Sequence, residues 1–392
     1  MSDGIVIAGG GLAAQRCAET LRGRGHDGPI RIVCAEPEIP YDRPPLSKDL
    51  LAGTLEEPGL SFRAAPWYEE QGIDLLLGER ATRLRPAIQR LELASGRVLR
   101  YDRLLIATGA APRRLPGTAG FDNVHVLRTV ADARALRATL APGVRLAVIG
   151  AGFIGQEVSA TARGLGAEVT LIEALPAPLA PAFGQEIGGW FARLHRAEGV
   201  EVLLGSGVAT LRGASSVTAV ELQDGTSVAC DAVVAGIGVA PDTAWLSGSG
   251  LPHSGGVPTD PQGRTAIPHV YAAGDAANPL DPARGAHRRS EHWESAVHAG
   301  RATGRAMLGL DAASPPAASF WSDQYGMRIQ YVGDARGHDT VEVDGDLDAR
   351  DATATFLRAG TPVAALLVGR PRALPALRRM FSTSDHETRS AA

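Results

Sequence analysis

Residues Gly4–Ala8 (GIVIA) form a short apolar, β-branched run that ends in three glycines, Gly9, Gly10 and Gly11. The pattern then changes. Leu12–Arg22 has the alanine-rich character of a helix packed on a sheet, Ile30–Cys34 returns to strand, and Glu36 stands just behind it. The same succession recurs further on. Arg145–Ile149 (RLAVI) reads as a strand, Gly150–Gly155 (GAGFIG) as a turn, Ile154–Gly164 as a helix, and Glu168–Ile172 as a second strand closed by Glu173. Leu91–Leu93, Leu104–Ala107, Ala232–Gly236 and Val270–Ala273 read as further strands, the last three running into glycine-containing turns. Beyond an Ala-Ala-Ser-Pro-Pro stretch at 312–316, a linker is expected, and the pattern becomes one of successive strands: Met327–Val332, Thr340–Val343, Thr353–Leu357 and Val363–Leu367. A short helix near Ala373–Phe381 and a disordered polar tail, Ser382–Ala392, complete the reading.

Both strand–turn–helix units have the form of a dinucleotide fingerprint. A glycine turn lets backbone approach a pyrophosphate, and the following helix start offers N–H donors and positive dipole character. Gly9, Gly11 and Ala14 fill the small-residue positions of the first unit, Gly150, Gly152 and Gly155 those of the second. Leu12 and Ala13, like Phe153 and Ile154, supply the helix starts. One such turn is common in α/β proteins; two, each with a carboxylate after its second strand, point to two bound nucleotides. Glu36 and Glu173 stand where an acid accepts hydrogen bonds from an adenosine ribose. Glu173 would also repel a 2′-phosphate, and no arginine follows it in Ala174–Pro181, so NADH is favoured over NADPH.

Composition narrows the class. With 392 residues the chain is long for a single domain, and 44% hydrophobic with 21% charged residues is globular material. A net charge of −4 gives no electrostatic footprint for nucleic acid. No apolar run is long enough for a membrane span, no signal peptide is expected ahead of Gly4, and no metal cluster is expected. Cys17, Cys34 and Cys230 form no close pair, which suits a cytoplasmic protein and lacks the paired thiols of disulfide reductases. Among 39 basic residues Lys48 is the single lysine. It ends Tyr41–Lys48 (YDRPPLSK), which reads either as a proline-rich surface loop or as a braced segment bringing cations to an anionic cofactor.

The ordered segments YDRPPLSK, LLIATGA (Leu104–Ala110), GIGVAPD (Gly236–Asp242), YAAGDAA (Tyr271–Ala277) and FWSDQYG (Phe320–Gly326), with the doubled glycine turn, resemble the bacterial oxygenase-coupled ferredoxin reductases. The resemblance runs from residue 4 to about 380. It implies an α/β fold with two Rossmann-like nucleotide-binding domains and a C-terminal α+β domain. FAD would occupy 1–112 and 238–312, NADH 113–237, and 313–392 would form the C-terminal domain. By the same resemblance Asp275 binds the FAD ribityl chain, and Arg43, Lys48, Ala81 and Arg128 make other FAD contacts. Thr108, Gly109, Gly236 and Gly274 lie in the matching turns. Glu157 would lie beside the nicotinamide and pair with Lys48; from the residues alone it is a solvated helix glutamate. Trp293 would lie against the flavin ring and Trp321 at the electron exit, the alternative for each being a plain core tryptophan.

The implied activity is hydride transfer from NADH to FAD, then single-electron transfer to a 2Fe–2S ferredoxin, or a rubredoxin, serving a Rieske dioxygenase or a haem monooxygenase, by a monomer or homodimer. Arg284, Arg288, Arg289, Arg301, Arg305 and Arg328 read either as a docking surface for that acidic partner or as ordinary solvated arginines. Asp242, Ser319, the lack of arginine after Glu173 and a short C-terminus depart from the family pattern. The competing readings are an NADH oxidase or small-acceptor reductase, and a redox-responsive binding flavoprotein resembling apoptosis-inducing factor.

Overall fold

A computed structural model describes residues 3–282, 284–311 and 317–382. The linker expected at 312–316 lies outside them, as does the expected polar tail beyond Ser382. The chain divides into two compact units, one of Met1–Asp42, Pro58–Ala111 and Ala240–Pro315, the other of Arg43–Glu57, Pro112–Val239 and Pro316–Ala392. Among the described residues, no helix is long and apolar enough to cross a membrane.

The first unit is built on a five-stranded parallel sheet in the order Val270–Ala272, Arg103–Ile106, Ile5–Ala8, Ile30–Cys34, Ile73–Leu77. All four residues of Ile5–Ala8 are buried, and alternation sends them to opposite faces. Ile5 and Ile7 join a cluster with Cys17 and Leu21 of helix Leu12–Gly23, while Val6 and Ala8 join one with Leu84 and Leu91. This is why the strand reads as a continuous apolar run. Helix Trp293–Met307 lies close against helix Leu12–Gly23. A Cβ on Gly300 would stand 2.3 Å from the Ala13 carbonyl oxygen, so only glycine permits that approach.

The second unit contains a parallel sheet in the order Glu201–Leu204, Glu168–Glu173, Arg145–Ile149, Ala232–Ala235, Val124–His125. It also holds a five-stranded antiparallel sheet ordered Ser319–Gln324, Met327–Gly333, Thr361–Val368, Asp351–Arg358, Thr340–Asp346. Helix Ala180–Ala197 ties the two sheets together. Its Phe183, Trp190 and Phe191 share one aromatic cluster with Tyr331 and Phe356 of the antiparallel sheet, and Trp190 Nε1 donates to the Leu347 carbonyl at 3.0 Å. The fold is α/β with two Rossmann-like sheets and a C-terminal antiparallel domain, as the resemblance implied. Helix Ala180–Ala197 and strand Ser319–Gln324 were not among the expected elements. The helix is broken at Gly184, whose φ of 75° and ψ of 178° are non-helical, and beyond the break Ile187, Trp190, Phe191 and Leu194 form its buried face.

Candidate functional site

In the first unit, Gly9 adopts φ 122°, and a Cβ there would lie 2.0 Å from the Ala107 carbonyl oxygen. Only glycine can close that turn. Gly11 plays another part. It is the N-cap of helix Leu12–Gly23, no side chain caps the helix, and a Cβ would meet nothing within 4 Å. The start of the helix is therefore bare on an open side, which suits an anion. Ala13 and Ala14 are buried in the first turn, and Ala13 touches the turn at Gly274, where an added Cβ would lie 3.1 Å from its own. Asp275 follows in the single turn Gly274–Ala276. Behind the second strand, Glu36 Oε2 accepts from the Tyr41 hydroxyl at 2.5 Å. Thr108 Oγ1 donates to the Asp242 carbonyl at 2.6 Å, and the Asp242 N–H returns a bond to the Gly109 carbonyl. Ala81 begins strand Ala81–Arg85 and is buried. Trp293 opens its helix, with Nε1 donating to Asp42 Oδ1 at 2.8 Å.

In the second unit, Gly150 takes φ 99° with the Gly236 carbonyl oxygen 2.5 Å from any added Cβ, and Gly155 would meet the Gly150 carbonyl oxygen at 2.0 Å. Gly152 again caps its helix, Phe153–Gly164, without a side-chain bond, and the nearest atom to an added Cβ is 4.0 Å away. Ile154, one residue into the helix, is exposed. Glu173 is held in place by backbone: Oε2 accepts from the Ala151 N–H at 2.8 Å and Oε1 from the Leu175 N–H at 3.0 Å. Two open, uncapped helix starts, each with a strand-end carboxylate, fit two pyrophosphate-containing cofactors.

The same unit brings Lys48 and Glu157 into contact, Nζ to Oε1, at 3.0 Å, with side chains only 11% and 4% exposed. Such burial leaves little water to solvate either charge, so each depends on its partners. Pro44–Ser47 forms one tight turn that sets Lys48, and the Ser47 carbonyl is fixed by Thr161 Oγ1 at 2.8 Å. Arg43 donates to the Arg128 carbonyl, while the Arg128 N–H donates to Asp132 Oδ2. Trp321 lies on strand Ser319–Gln324 with the Arg328 guanidinium 6.0 Å from its ring centroid. Arg328 also forks onto Asp323 at 2.7 and 3.1 Å, Arg284 pairs with Asp281, and Arg289 with Glu291.

Several polar residues beside these were not singled out by the sequence reading. Glu157 accepts two further bonds, from Ser47 Oγ at 2.5 Å and Ser322 Oγ at 2.8 Å, and Gln324 Nε2 donates to Ser322. Gln156 and His195, both buried, and the partly buried Tyr325 form a second set next to the second glycine turn. One signal was available, since a glutamine directly follows the third small residue in both turns, Gln15 and Gln156. All three cysteines are buried and unpaired. Burial pushes the Cys17 and Cys34 thiols up to about 12 and Cys230 to about 11, so none supplies a thiolate at neutral pH.

Comparison with known proteins agrees with this geometry. Residues 3–300 match the family model described as pyridine nucleotide-disulphide oxidoreductase, and residues 319–392 match the reductase C-terminal model. The chain is 39% identical over 384 residues to the anthranilate 1,2-dioxygenase system ferredoxin–NAD(+) reductase component of Burkholderia cepacia, covering 97% of this chain and 94% of that one. It is 35% identical over 377 residues to putidaredoxin reductase of Pseudomonas putida, covering 94% and 89%. Among solved structures, the covalent putidaredoxin reductase–putidaredoxin complex superposes with a TM-score of 0.93 at 34% identity, over 97% of this chain and 93% of that one. The chain belongs to the pyridine nucleotide-disulphide oxidoreductases and, within them, to the FAD-containing, NADH-dependent ferredoxin reductases.

Proposed function

We propose that this oxidoreductase takes a hydride from NADH onto FAD and delivers single electrons to a 2Fe–2S ferredoxin that feeds an oxygenase, either a Rieske dioxygenase or a haem monooxygenase. The observation that carries the reading is the duplicated turn, with open space at Gly11 and Gly152 and bare helix starts beyond each. In this reading residues 1–112 and 238–312 hold FAD, 113–237 hold NADH, and 313–392 form the C-terminal domain. The chemistry FAD supplies when bound is the conversion of a two-electron hydride into single electrons.

The chain's own residues bind and orient. The helix start at Leu12–Ala14 receives the FAD pyrophosphate, Glu36 the ribose, and Asp275 the ribityl chain, with Arg43, Ala81, Thr108, Gly109 and Arg128 completing the contacts. Phe153 and Ile154 open the helix that receives the NADH pyrophosphate. Glu173, fixed through two backbone N–H groups, keeps lone pairs for the ribose hydroxyls and repels a 2′-phosphate. Lys48 and Glu157 set the electrostatics of the hydride step and do not react themselves. Trp293 and Trp321 serve the flavin and the electron exit. Three buried, unpaired cysteines are consistent with work in the cytoplasm.

The test is NADH-driven cytochrome c reduction with and without added 2Fe–2S ferredoxins. A large ferredoxin-dependent rate supports the proposal. Rapid ferricyanide reduction with no gain from any ferredoxin points instead to a small-acceptor reductase.

A further inference from the structure

Gln156 is fully buried one position beyond the second glycine turn, and chemistry fixes the direction of each hydrogen bond that runs through it. Its Nε2 donates to the Ala151 carbonyl at 2.9 Å. The amide oxygen Oε1 is then the atom 3.2 Å from His195 Nε2. An amide oxygen only accepts, so His195 carries its proton on Nε2 and leaves Nδ1 as an acceptor. The Tyr325 hydroxyl, 2.6 Å from Nδ1, is therefore the donor. One unidirectional chain runs from Tyr325, in the turn after strand Ser319–Gln324, through His195 of helix Ala180–Ala197, to the carbonyl of Ala151.

The end of that chain is the peptide that opens the nucleotide turn. Ala151 lies between Gly150 and Gly152, and its own N–H is held by Glu173. A trans peptide is planar, with its N–H directed opposite its C=O. Holding the Ala151 carbonyl toward Gln156 thus fixes the direction of the Gly152 N–H, the group at the N-cap of the bare helix start. His195 is 0% exposed, and burial pushes its pKa down to about 4, so the ring stays the neutral relay that this polarity requires.

We infer that Tyr325, acting through His195 and Gln156, is a positioning residue for NADH: a side chain of the C-terminal domain that presets the Gly152 N–H for the dinucleotide pyrophosphate. The inference rests on the reading that the turn at Gly150–Gly155 holds NADH, and the test separates the two. Tyr325→Phe keeps the ring and removes only the donor. Gln156→Met keeps the length and releases the Ala151 carbonyl. Gly152→Val adds bulk at a position where a Cβ has its nearest protein atom 4.0 Å away, so it is directed at a ligand in the turn.

NAD+ binding to the FAD-loaded protein is measured by titration calorimetry, alongside KM for NADH and kcat with ferricyanide. Tyr325→Phe and Gln156→Met are expected to raise Kd and KM about fivefold, the scale of one lost hydrogen bond, with kcat and FAD content unchanged. Gly152→Val is expected to abolish binding. Native affinity in Gly152→Val overturns the reading of the turn. Loss in Gly152→Val with native affinity in Gln156→Met overturns the positioning chain alone, as does a fall in kcat at unchanged KM. If Tyr325→Phe yields no folded protein, Gln156→Met decides.

Discussion

The two glycine turns share a plan and differ in what stands behind them. In both, a positive-φ glycine closes against the end of a neighbouring strand, a second glycine caps a bare helix, and a buried glutamine follows the third small residue. Behind the first turn, Gln15 accepts from the Tyr68 hydroxyl at 2.7 Å and directs its amide to Glu19 on its own helix. Behind the second, Gln156 directs its amide to the turn itself and leads on to His195 and Tyr325. The next position diverges further. Arg16 pairs with Glu19 on the same helix in a partly exposed setting, whereas Glu157 is buried with Lys48, Ser47 and Ser322. Both glutamines reach a partner distant in sequence, Tyr68 for Gln15 and His195 for Gln156, but only Gln156 is directed back onto its own turn. In the proposed reading the first turn would hold a resident cofactor and the second a nucleotide that comes and goes.

That contrast is open to measurement, and the largest expected effect lies at the two ion pairs. Removing either Lys48 or Glu157 strands a buried charge, at about 3–5 kcal/mol of stability, and slows flavin reduction by NADH in stopped flow. The double variant is expected to be less damaged than the two losses summed. Lys48→Arg is expected not to restore the rate, because a planar guanidinium does not occupy the space of an ammonium. Breaking Arg16–Glu19 at the corresponding position should cost no more than about 1 kcal/mol. Equal losses at the two positions would erase the distinction.

A smaller effect separates the turns by pH. The folded-state pKa of His195, about 4, lies below its ordinary 6.5, so as pH falls the unfolded chain takes up the proton first. The stability His195 contributes is complete above pH 6.5 and lost as pH falls toward 4, about 3 kcal/mol in all. Its hydrogen-bonding neighbours Tyr325 and Gln156 stay uncharged there, while Glu198, Arg163 and Arg350 face Tyr325. Chemical unfolding between those limits should show a flatter pH dependence in His195→Gln than in the native protein. The residue at the corresponding place behind the first turn is Tyr68, which burial pushes further above the neutral range. The smallest effect concerns cofactor choice. Native kcat/KM should favour NADH over NADPH about tenfold, or 1.4 kcal/mol. Glu173→Ala should narrow that gap and Glu36→Ala leave it unchanged.

Much of this frame was legible in the sequence. The apolar runs at Ile5–Ala8 and Arg145–Ile149, with their glycines and strand-end glutamates, marked both turns because their chemistry is local. Residues alone made Glu157 a solvated glutamate, and only the family resemblance paired it with Lys48; the structure has the two in contact. Ser47, Ser322, His195 and Tyr325 were not legible, and Gln156 only through its recurrence after both turns. Each is a common polar residue whose meaning comes from a partner far along the chain, such as Ser322 reaching Glu157. Helix Ala180–Ala197 was legible beyond its break at Gly184, where Ile187, Trp190, Phe191 and Leu194 recur at helical spacing, and the sequence reading passed over it.

The central claim, two turns for two different nucleotides, is tested most directly by Gly11→Val and Gly152→Val, each followed by anaerobic titration with NADH. A Cβ added at Gly11 meets nothing within 4 Å, and one at Gly152 has the Gly236 carbonyl oxygen at 4.0 Å as its nearest atom. The account predicts that Gly11→Val is purified without flavin. Gly152→Val is predicted to stay yellow, to bleach with dithionite and to remain unbleached by NADH. A yellow Gly11→Val protein, or a Gly152→Val protein bleached by NADH as readily as the native one, would contradict it.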